Sequence, residues 1–250
     1  FPSRRIDTSE GLPNKQVESI FKDSRGILWV GTKNGLSKIE NGHITNFFKG
    51  DGLAHNNTQE IIEDKSNTIW IASYGGGVTK FDGKTFSIFN KKKGLVNDYV
   101  RKLFEYKNKI FVGTKNGLSI INTQNNSIST VATDGIINVR TGKIDFQVMD
   151  FFIHKDELYC GTFRVGIFKI NVKNKTVKRV FNYQNGWDYL FSIYVKDSLF
   201  YYSVDGANNP SNKATLKKFN IEKLLTDQKD DLLFGKSIIW DYATDTKNNL

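Results

Sequence analysis

The stretch GLPNKQVESIFKDSRGILWVGTKNGL, residues 11–36, decides the fold, because its pattern returns along the chain. Its opening pair Gly11-Leu12 recurs as Gly52-Leu53 and Gly94-Leu95, at spacings of 41 and 42 residues. Six residues after each glycine an alternating apolar segment begins, near Val17, Thr58 and Val100. Self-similarity at a period of roughly 20 to 50 residues indicates a repeat architecture such as a solenoid or a propeller.

A second apolar segment in each repeat is centred on an aromatic residue. A small residue follows two places later, as in Trp29-Val30-Gly31 and Trp70-Ile71-Ala72. Alternation with period two places the aromatic and the small residue on the same face of a strand. The anchor aromatics are Trp29, Trp70, Phe111, Tyr159 and Phe200, with spacings of 41, 41, 48 and 41 residues. Five occurrences predict five equivalent strands.

The first repeat predicts four strands joined by tight turns at Asp23–Gly26, Lys33–Gly35 and Asn41-Gly42. The predicted strands are Val17 to Lys22, Ile27 to Thr32, Leu36 to Glu40 and His43 to Phe48. A single four-stranded meander cannot bury both of its faces, so successive sheets must stack face to face around an axis. The sequence therefore predicts an all-β fold, a β-propeller of four-stranded antiparallel blades that is incomplete in this chain.

We expect residues 1–250 to form one propeller domain with no second domain. Five full blades are predicted, with an outer strand at Phe1 to Thr8 and the first strand of a sixth blade at Ser237 to Asp245. The next anchor aromatic is expected one residue beyond Leu250. Because the chain begins at Phe1 and not at Met, we expect a segment of a longer protein, with any targeting or membrane elements outside it.

Composition narrows the classes of partner. The net charge is +10, but the lysines are scattered through turns and form no basic helix, so no nucleic-acid partner is predicted. No apolar run approaches the roughly 18 residues of a membrane span. The single cysteine, Cys160, excludes an intrachain disulfide and is expected to be a buried, inert thiol.

The quoted stretch resembles the two-component regulator propeller repeat, which occurs in the extracytoplasmic sensor regions of bacterial hybrid histidine kinases. The resemblance is clearest over residues 1–122. It implies a periplasmic segment of an inner-membrane sensor whose kinase modules lie outside this chain. It also implies recognition of an oligosaccharide released from glycan breakdown, or of another small ligand. The implied protein partner is the remainder of the sensor chain, and the parent receptor allows a homodimer.

The sequence shows no catalytic or metal-binding pattern. His43, His55 and His154 lie in different repeats, and neither a His-x-x-x-His nor a Cys-x-x-Cys spacing occurs. We therefore expect no enzyme activity, no cofactor and no metal in this chain. Gly75-Gly76-Gly77 precedes no helix, so we interpret it as a flexible turn and not as a phosphate site.

The predicted ligand-binding residues lie in the loops that a propeller gathers at one face. Aromatic rings stack on the CH faces of sugars, while carboxylates, amides and guanidinium groups bind hydroxyls. The candidates are Trp187, Asp188, Tyr189, Arg140, Asp145, His55, Asn57, Asn97 and Trp240. A simpler interpretation is that the two tryptophans pack between blades and that the histidine and asparagines cap turns.

Two other functions stay open at this point. A lyase-type propeller enzyme is predicted if His55 clusters with Arg140 or Arg164 in one pocket. A protein-interaction scaffold is predicted if the exposed loops form a flat apolar patch.

Overall fold

The computed structural model describes residues 5–133, 136, 146–181, 189–196, 199–205, 215–220 and 231–234. The backbone alone is described for residues 189, 191, 192, 194 and 196 and for all described residues from 199 onward. The chain divides into two compact units, Phe1–Thr130 and Val131–Leu250. Five four-stranded antiparallel sheets are present, each with its strands in chain order. This topology confirms the predicted fold class, a propeller of four-stranded blades. The predicted single domain stays a prediction, as does the sixth blade, because residues 237–245 lie outside the described residues.

The first three sheets belong to the first unit. Their strands are β1 (Val17–Lys22), β2 (Leu28–Thr32), β3 (Gly35–Glu40) and β4 (His43–Phe47); β5 (Thr58–Glu63), β6 (Ile69–Ser73), β7 (Gly77–Phe81) and β8 (Phe86–Phe89); and β9 (Val100–Tyr106), β10 (Lys109–Thr114), β11 (Gly117–Asn122) and β12 (Ile128–Val131). Two short 3-10 helices, Lys49–Asp51 and Lys91–Lys93, open the connections from β4 to β5 and from β8 to β9.

The fourth and fifth sheets belong to the second unit. Their strands are β13 (Val148–His154), β14 (Glu157–Thr162), β15 (Ile167–Asn171) and β16 (Thr176–Phe181); and β17 (Tyr189–Lys196), β18 (Leu199–Asp205), β19 (Thr215–Asn220) and β20 (Asp231–Phe234). The anchors Tyr159 and Phe200 lie in β14 and β18, as the spacing predicts.

The predicted strands of the first repeat agree with the structure to within one residue at each end. The fourth strand ends at Phe47 and not at Phe48, because the carbonyl of Phe48 already accepts from Asp51 in the following 3-10 turn. Of the outer strand predicted at residues 1–8, residues 5–8 are described and carry no strand.

Within the first unit, the first sheet packs on the second and the second on the third through the anchor face. Trp29, Trp70 and Phe111 are fully buried. A Cβ atom at Gly31 would lie 2.7 Å from the Cγ2 atom of Thr58 on the neighbouring sheet, so only a glycine fits there without a shift. The aromatic supplies the apolar area, and the small residue beside it lets the next sheet approach closely.

The opposite face of the first sheet is uncovered within this unit. Val17 is 42% exposed and Ile20 is 66% exposed, whereas the equivalent residues Thr58 and Ile61 are buried against the preceding sheet. The first sheet therefore presents an apolar face of the kind that the second sheet buries.

The repeated Gly-Leu pair has a backbone cause. Gly52 and Gly94 end the two 3-10 helices with φ of 118° and 113°, a left-handed conformation that favours glycine. The leucines that follow, Leu53 and Leu95, are buried. The pair thus reverses the chain and then anchors it before the next sheet begins.

A buried carboxylate holds the first turn of each of the first two sheets. The Trp70 Nε1–H donates to Asp64 Oδ2 at 2.8 Å, while Asp64 Oδ1 accepts from the backbone N–H groups of Ser66 and Thr68. Asp23 makes the equivalent bond to Trp29 at 3.0 Å. A buried indole N–H needs an acceptor, and this aspartate supplies it.

The third sheet has neither the anchor tryptophan nor the aspartate in its first turn. Its anchor is Phe111, which has no N–H, and its first turn is the two-residue turn Lys107-Asn108, with φ of 50° and 59°. Both positive values fit a tight hairpin turn, which needs no side-chain acceptor. Tryptophan and aspartate are therefore present together or absent together in these three sheets.

Asp64→Asn is expected to destabilise the chain by about 1–3 kcal/mol, because one amide group cannot accept from the Trp70 indole and the turn backbone at the same time. Urea unfolding monitored by tryptophan fluorescence and circular dichroism would measure the free energy of unfolding.

The matched control places Asp64→Asn in a Trp70→Phe background. In that background Asp64→Asn should lower the free energy of unfolding by clearly less, because the indole donor is absent. Phe111 shows that the anchor position tolerates phenylalanine. An equal loss of unfolding free energy in both backgrounds would contradict an energetic coupling between Asp64 and Trp70.

Asp23 is expected to make stability depend on pH. Burial acts to raise the pKa of its carboxyl, but hydrogen bonds from Trp29 and Arg25 outweigh burial and hold the pKa below the ordinary 3.8. The stabilisation is therefore complete above pH 3.8 and is lost as the pH falls further toward the folded-state pKa. The unfolding free energies of the wild type and Asp23→Asn, measured in urea, should converge below that pH. A difference that stays constant with pH would show that this carboxyl does not carry the effect.

Candidate functional site

In the first unit the connections between sheets and the turns between second and third strands meet at one edge, here named the loop edge. Antiparallel pairing requires these two kinds of connection to leave the sheets at the same end. The contact is made by backbone hydrogen bonds, with the N–H of Tyr74 donating to the carbonyl of Asn57 at 2.9 Å and that of Lys115 donating to Tyr99 at 2.9 Å. The predicted gathering of loops at one face is present in this unit.

Three of the predicted site residues, His55, Asn57 and Asn97, lie at the loop edge. Asn97 Oδ1 accepts from the N–H of Tyr99 at 2.8 Å, and His55 Nδ1 accepts from the N–H of Asn57 at 3.0 Å. Asn57 Oδ1 accepts from the side chain of Gln59. The simpler interpretation, that these residues cap turns, accounts for these atoms. In the neutral His55 ring the proton therefore sits on Nε2, which lies near Gly75.

A pair of tyrosines beside these residues forms the most exposed aromatic feature of the loop edge. The rings of Tyr74 and Tyr99 meet edge to face, with centroids 4.9 Å apart and an interplanar angle of 68°. Their backbones are joined by an isolated antiparallel bridge. Tyr99 is 44% exposed, which is unusual for so large an apolar ring, and Tyr74 is half-buried.

The turn beneath the tyrosines, formed by the glycine triplet, is held by backbone hydrogen bonds to the neighbouring connection. The carbonyl of Asp98 accepts from the N–H groups of Gly75 and Gly77, at 3.1 and 2.9 Å. A Cβ atom at Gly76 would lie 2.2 Å from the carbonyl oxygen of Ala54. The glycines are present because two backbones approach closely here.

Two cations flank the tyrosine pair. The guanidinium carbon of Arg101 lies 5.3 Å from the centroid of the Tyr74 ring, and Lys115 Nζ lies 5.6 Å from that of Tyr99. Both distances fit cation–π contacts. Arg101 Nε is buried and lacks a hydrogen-bond partner within the described part of the chain. We name Tyr74, Tyr99, Arg101 and Lys115 the tyrosine–cation surface.

A β-bulge aims Arg101 at this surface. Along β9 and β10, Gly113 pairs with Lys102 and Thr114 pairs with Val100, so Arg101 is the extra, unpaired residue. Bulges of this kind bend a strand and redirect a side chain. The first strand of every sheet has a register shift near the same end, so the bulge belongs to the repeat.

The remaining predicted site residues lie outside the residues whose side chains are described. Arg140, Asp145, Trp187, Asp188 and Trp240 are in segments that the structure does not describe, and of Tyr189 only the backbone is given, as the first residue of β17. Their predicted role in ligand binding stays a prediction. Sequence reasoning missed all four residues of the tyrosine–cation surface.

Potential reactive groups are few in the described ranges. No set of three or more His, Cys, Asp or Glu residues there is arranged to hold a metal ion. Cys160 is fully buried, and burial raises the pKa of its thiol, as expected for an inert cysteine. Within the same ranges no helix is long and apolar enough to cross a membrane.

Comparison with known proteins supports the repeat assignment. Residues 11–34 match the family model described as the two-component regulator propeller. Histidine kinase P4 from Formosa agariphila is 31% identical to this chain over 88 residues, which is 32% of this chain and 6% of the kinase. The match thus spans a small part of that protein's length.

Two solved structures share the fold. An extracellular domain from B. thetaiotaomicron, assigned to a hybrid two-component system, aligns with 93% of this chain and 38% of its own, at 15% identity and a TM-score of 0.53. A catalytically inactive virginiamycin B lyase from Staphylococcus aureus with quinupristin aligns with 89% of this chain and 71% of its own, at 13% identity and a TM-score of 0.65. At such low identity these likenesses establish the fold alone. The chain therefore has a β-propeller fold, and its residues 11–34 match the two-component regulator propeller repeat.

Proposed function

We propose that this chain is an extracytoplasmic, periplasmic ligand-recognition propeller of a two-component sensor, and that it binds an oligosaccharide at the tyrosine–cation surface. The regulator-propeller match at residues 11–34 and the kinase relative support the sensor assignment. The extracellular origin of a propeller neighbour supports the location. The kinase activity, the membrane anchor and a homodimer belong to the proposed parent receptor and not to this chain.

The observation that carries the ligand class is the exposed ring of Tyr99 beside Tyr74. A partly exposed ring beside a second ring offers a platform on which the apolar face of a ligand can stack. The CH face of a pyranose stacks on an aromatic ring, and neighbouring donors can bind its hydroxyls. A Cβ atom at Gly75 would lie 3.8 Å from His55 Nε2 and 3.8 Å from Tyr99 Cε1, so both side chains border the same residue. One ring platform with donors around it is the arrangement that sugar recognition needs.

The backbone fixes this platform before any ligand arrives. The bridge between Tyr74 and Tyr99, the bonds to the carbonyl of Asp98 and the close contact at Gly76 all restrain the turn. A site that is already in its binding conformation loses little conformational entropy when the ligand binds, so its affinity is higher. A sensor that must respond to small amounts of ligand benefits from such preorganisation.

The two alternative functions receive less support. For the lyase, Arg140 lies outside the described residues, while His55 and Arg164 belong to different units. The virginiamycin B lyase neighbour speaks for the fold alone, at 13% identity. For the scaffold, the exposed rings at the loop edge are flanked by cations and do not form a flat apolar patch.

Tyr99→Ala is expected to weaken oligosaccharide binding at least tenfold, about 1.4 kcal/mol, because it removes the stacking ring. Isothermal titration calorimetry of the full chain against neutral and acidic tetrasaccharides would give the affinities. The fold should survive, since Tyr99 is exposed and its hydrogen bonds at the loop edge use backbone atoms.

The matched control is Tyr99→Phe, which keeps the ring and should bind within about threefold of the wild type. Unchanged binding by Tyr99→Ala, with a normal melting temperature, would rule out this surface. A failure of every tetrasaccharide to bind the wild type would contradict the proposed ligand class.

A further inference from the structure

We infer that the tyrosine–cation surface selects oligosaccharides with an acidic substituent, a carboxylate or a sulfate ester, over neutral ones. The inference rests on the proposed function and adds the chemical class of the ligand. It follows from comparing equivalent positions of the first and third sheets, because the repeat holds the backbone constant while the charges change.

At the loop edge of the first sheet, two oppositely charged side chains form an ion pair. Glu18 is the bulge residue of β1, and Lys33 follows the end of β2. Lys33 Nζ lies 3.7 Å from Glu18 Oε1, so the two side chains form an ion pair. The repeat geometry thus brings the bulge position and the position after the second strand within reach of one another.

The third sheet places two like charges at the same two positions. Arg101 is the bulge residue of β9, where the first sheet has Glu18, and Lys115 follows β10, where the first sheet has Lys33. Neither cation forms an ion pair with any described residue, and each lies against one ring of the tyrosine pair. Like charges at a pairing position are unfavourable until an anion joins them.

Two carboxylates of this region, Asp98 and Glu60, have other partners. Asp98 Oδ1 accepts from the N–H of Lys91 at 2.6 Å. Glu60 pairs with Lys102 at 2.8 Å, and its second oxygen accepts from the N–H of Leu103. Asp98 thus holds the connection between sheets and Glu60 the contact between neighbouring first strands, and neither forms an ion pair with Arg101 or Lys115.

The arrangement points to an anion carried on a sugar and not to a free anion. A guanidinium group binds carboxylate and sulfate oxygens in a planar, two-pronged geometry, and an ammonium group adds a second positive charge. Between these cations lie two rings that a pyranose face would cover. A ligand with both an apolar face and a negative substituent uses all four residues at once.

The test compares three tetrasaccharides with one backbone: a neutral galactose tetramer, a galacturonate tetramer and a sulfated galactose tetramer. Calorimetry on the full chain should show at least one acidic tetramer binding at least tenfold tighter than the neutral one, with affinity falling as salt is raised. Comparing the two acidic tetramers distinguishes a carboxylate from a sulfate ester.

Arg101→Gln and Lys115→Gln should each weaken the acidic tetramer at least tenfold and change the neutral one by less than about threefold. Lys65→Gln is the matched control, because it removes one exposed positive charge from the turn at the opposite edge and should change neither. Melting temperatures of all three variants check the fold, and the exposed Lys115 keeps the test valid even if Arg101→Gln unfolds.

Each other outcome has a definite meaning. Equal affinity for neutral and acidic tetramers overturns the inference and leaves the proposed function standing. Binding by no tetramer overturns both. A thymidine oligonucleotide that binds as tightly as the acidic tetramers, and is weakened by the same variants, replaces the sugar with a nucleic acid.

Discussion

Within each unit, the structure depends on one packing contact, which is the anchor face of a sheet against the first strand of the following sheet. Trp29 supplies apolar area, and Gly31 beside it leaves room for Thr58 on the neighbouring sheet. The same contact fixes the distance between sheets, and that distance lets the N–H of Gly35 reach the carbonyl of Asn56 at 2.7 Å. The loop edge is therefore a consequence of sheet packing, and any residue placed there inherits a rigid support.

The anchor aromatic also determines the chemistry of the far edge. A buried tryptophan brings an indole N–H that must be satisfied, and Asp23 and Asp64 satisfy it from a four-residue turn. With Phe111 that requirement disappears, and the turn contracts to two residues with positive φ. The two turn types are thus alternative solutions of one packing problem, which explains why repeats of unequal sequence keep the same four strands.

The fold could be predicted from the sequence because its determinants are local and repeated. The Gly-Leu pair, the anchor aromatic and the hairpin turns each recur, and together they fix the strand order. The site was predicted less well. Tyr99 lies in one of the loops gathered at the loop edge, at the position where the earlier repeats have Gln16 and Asn57. Comparing the repeats position by position would have singled it out. The direction of the Arg101 side chain could not have been predicted, because the bulge in β9 is not visible in the alternation of apolar and polar residues.

Because the chain repeats one structural unit, the same backbone position can be compared in several sheets of the same protein. The bulge and the position after the second strand occupy the same place in the first and third sheets, so the strand pairing is the same and only the side chains differ. Where Glu18 meets Lys33, the charges are satisfied within the protein. Where Arg101 and Lys115 take those places, two cations lie beside two tyrosines. The buried Nε of Arg101 has no hydrogen-bond partner in the described structure. A glutamate at position 101 would instead allow the ion pair that the first sheet forms. An acidic ligand that reached both cations would supply the negative charge that Glu18 provides in the first sheet.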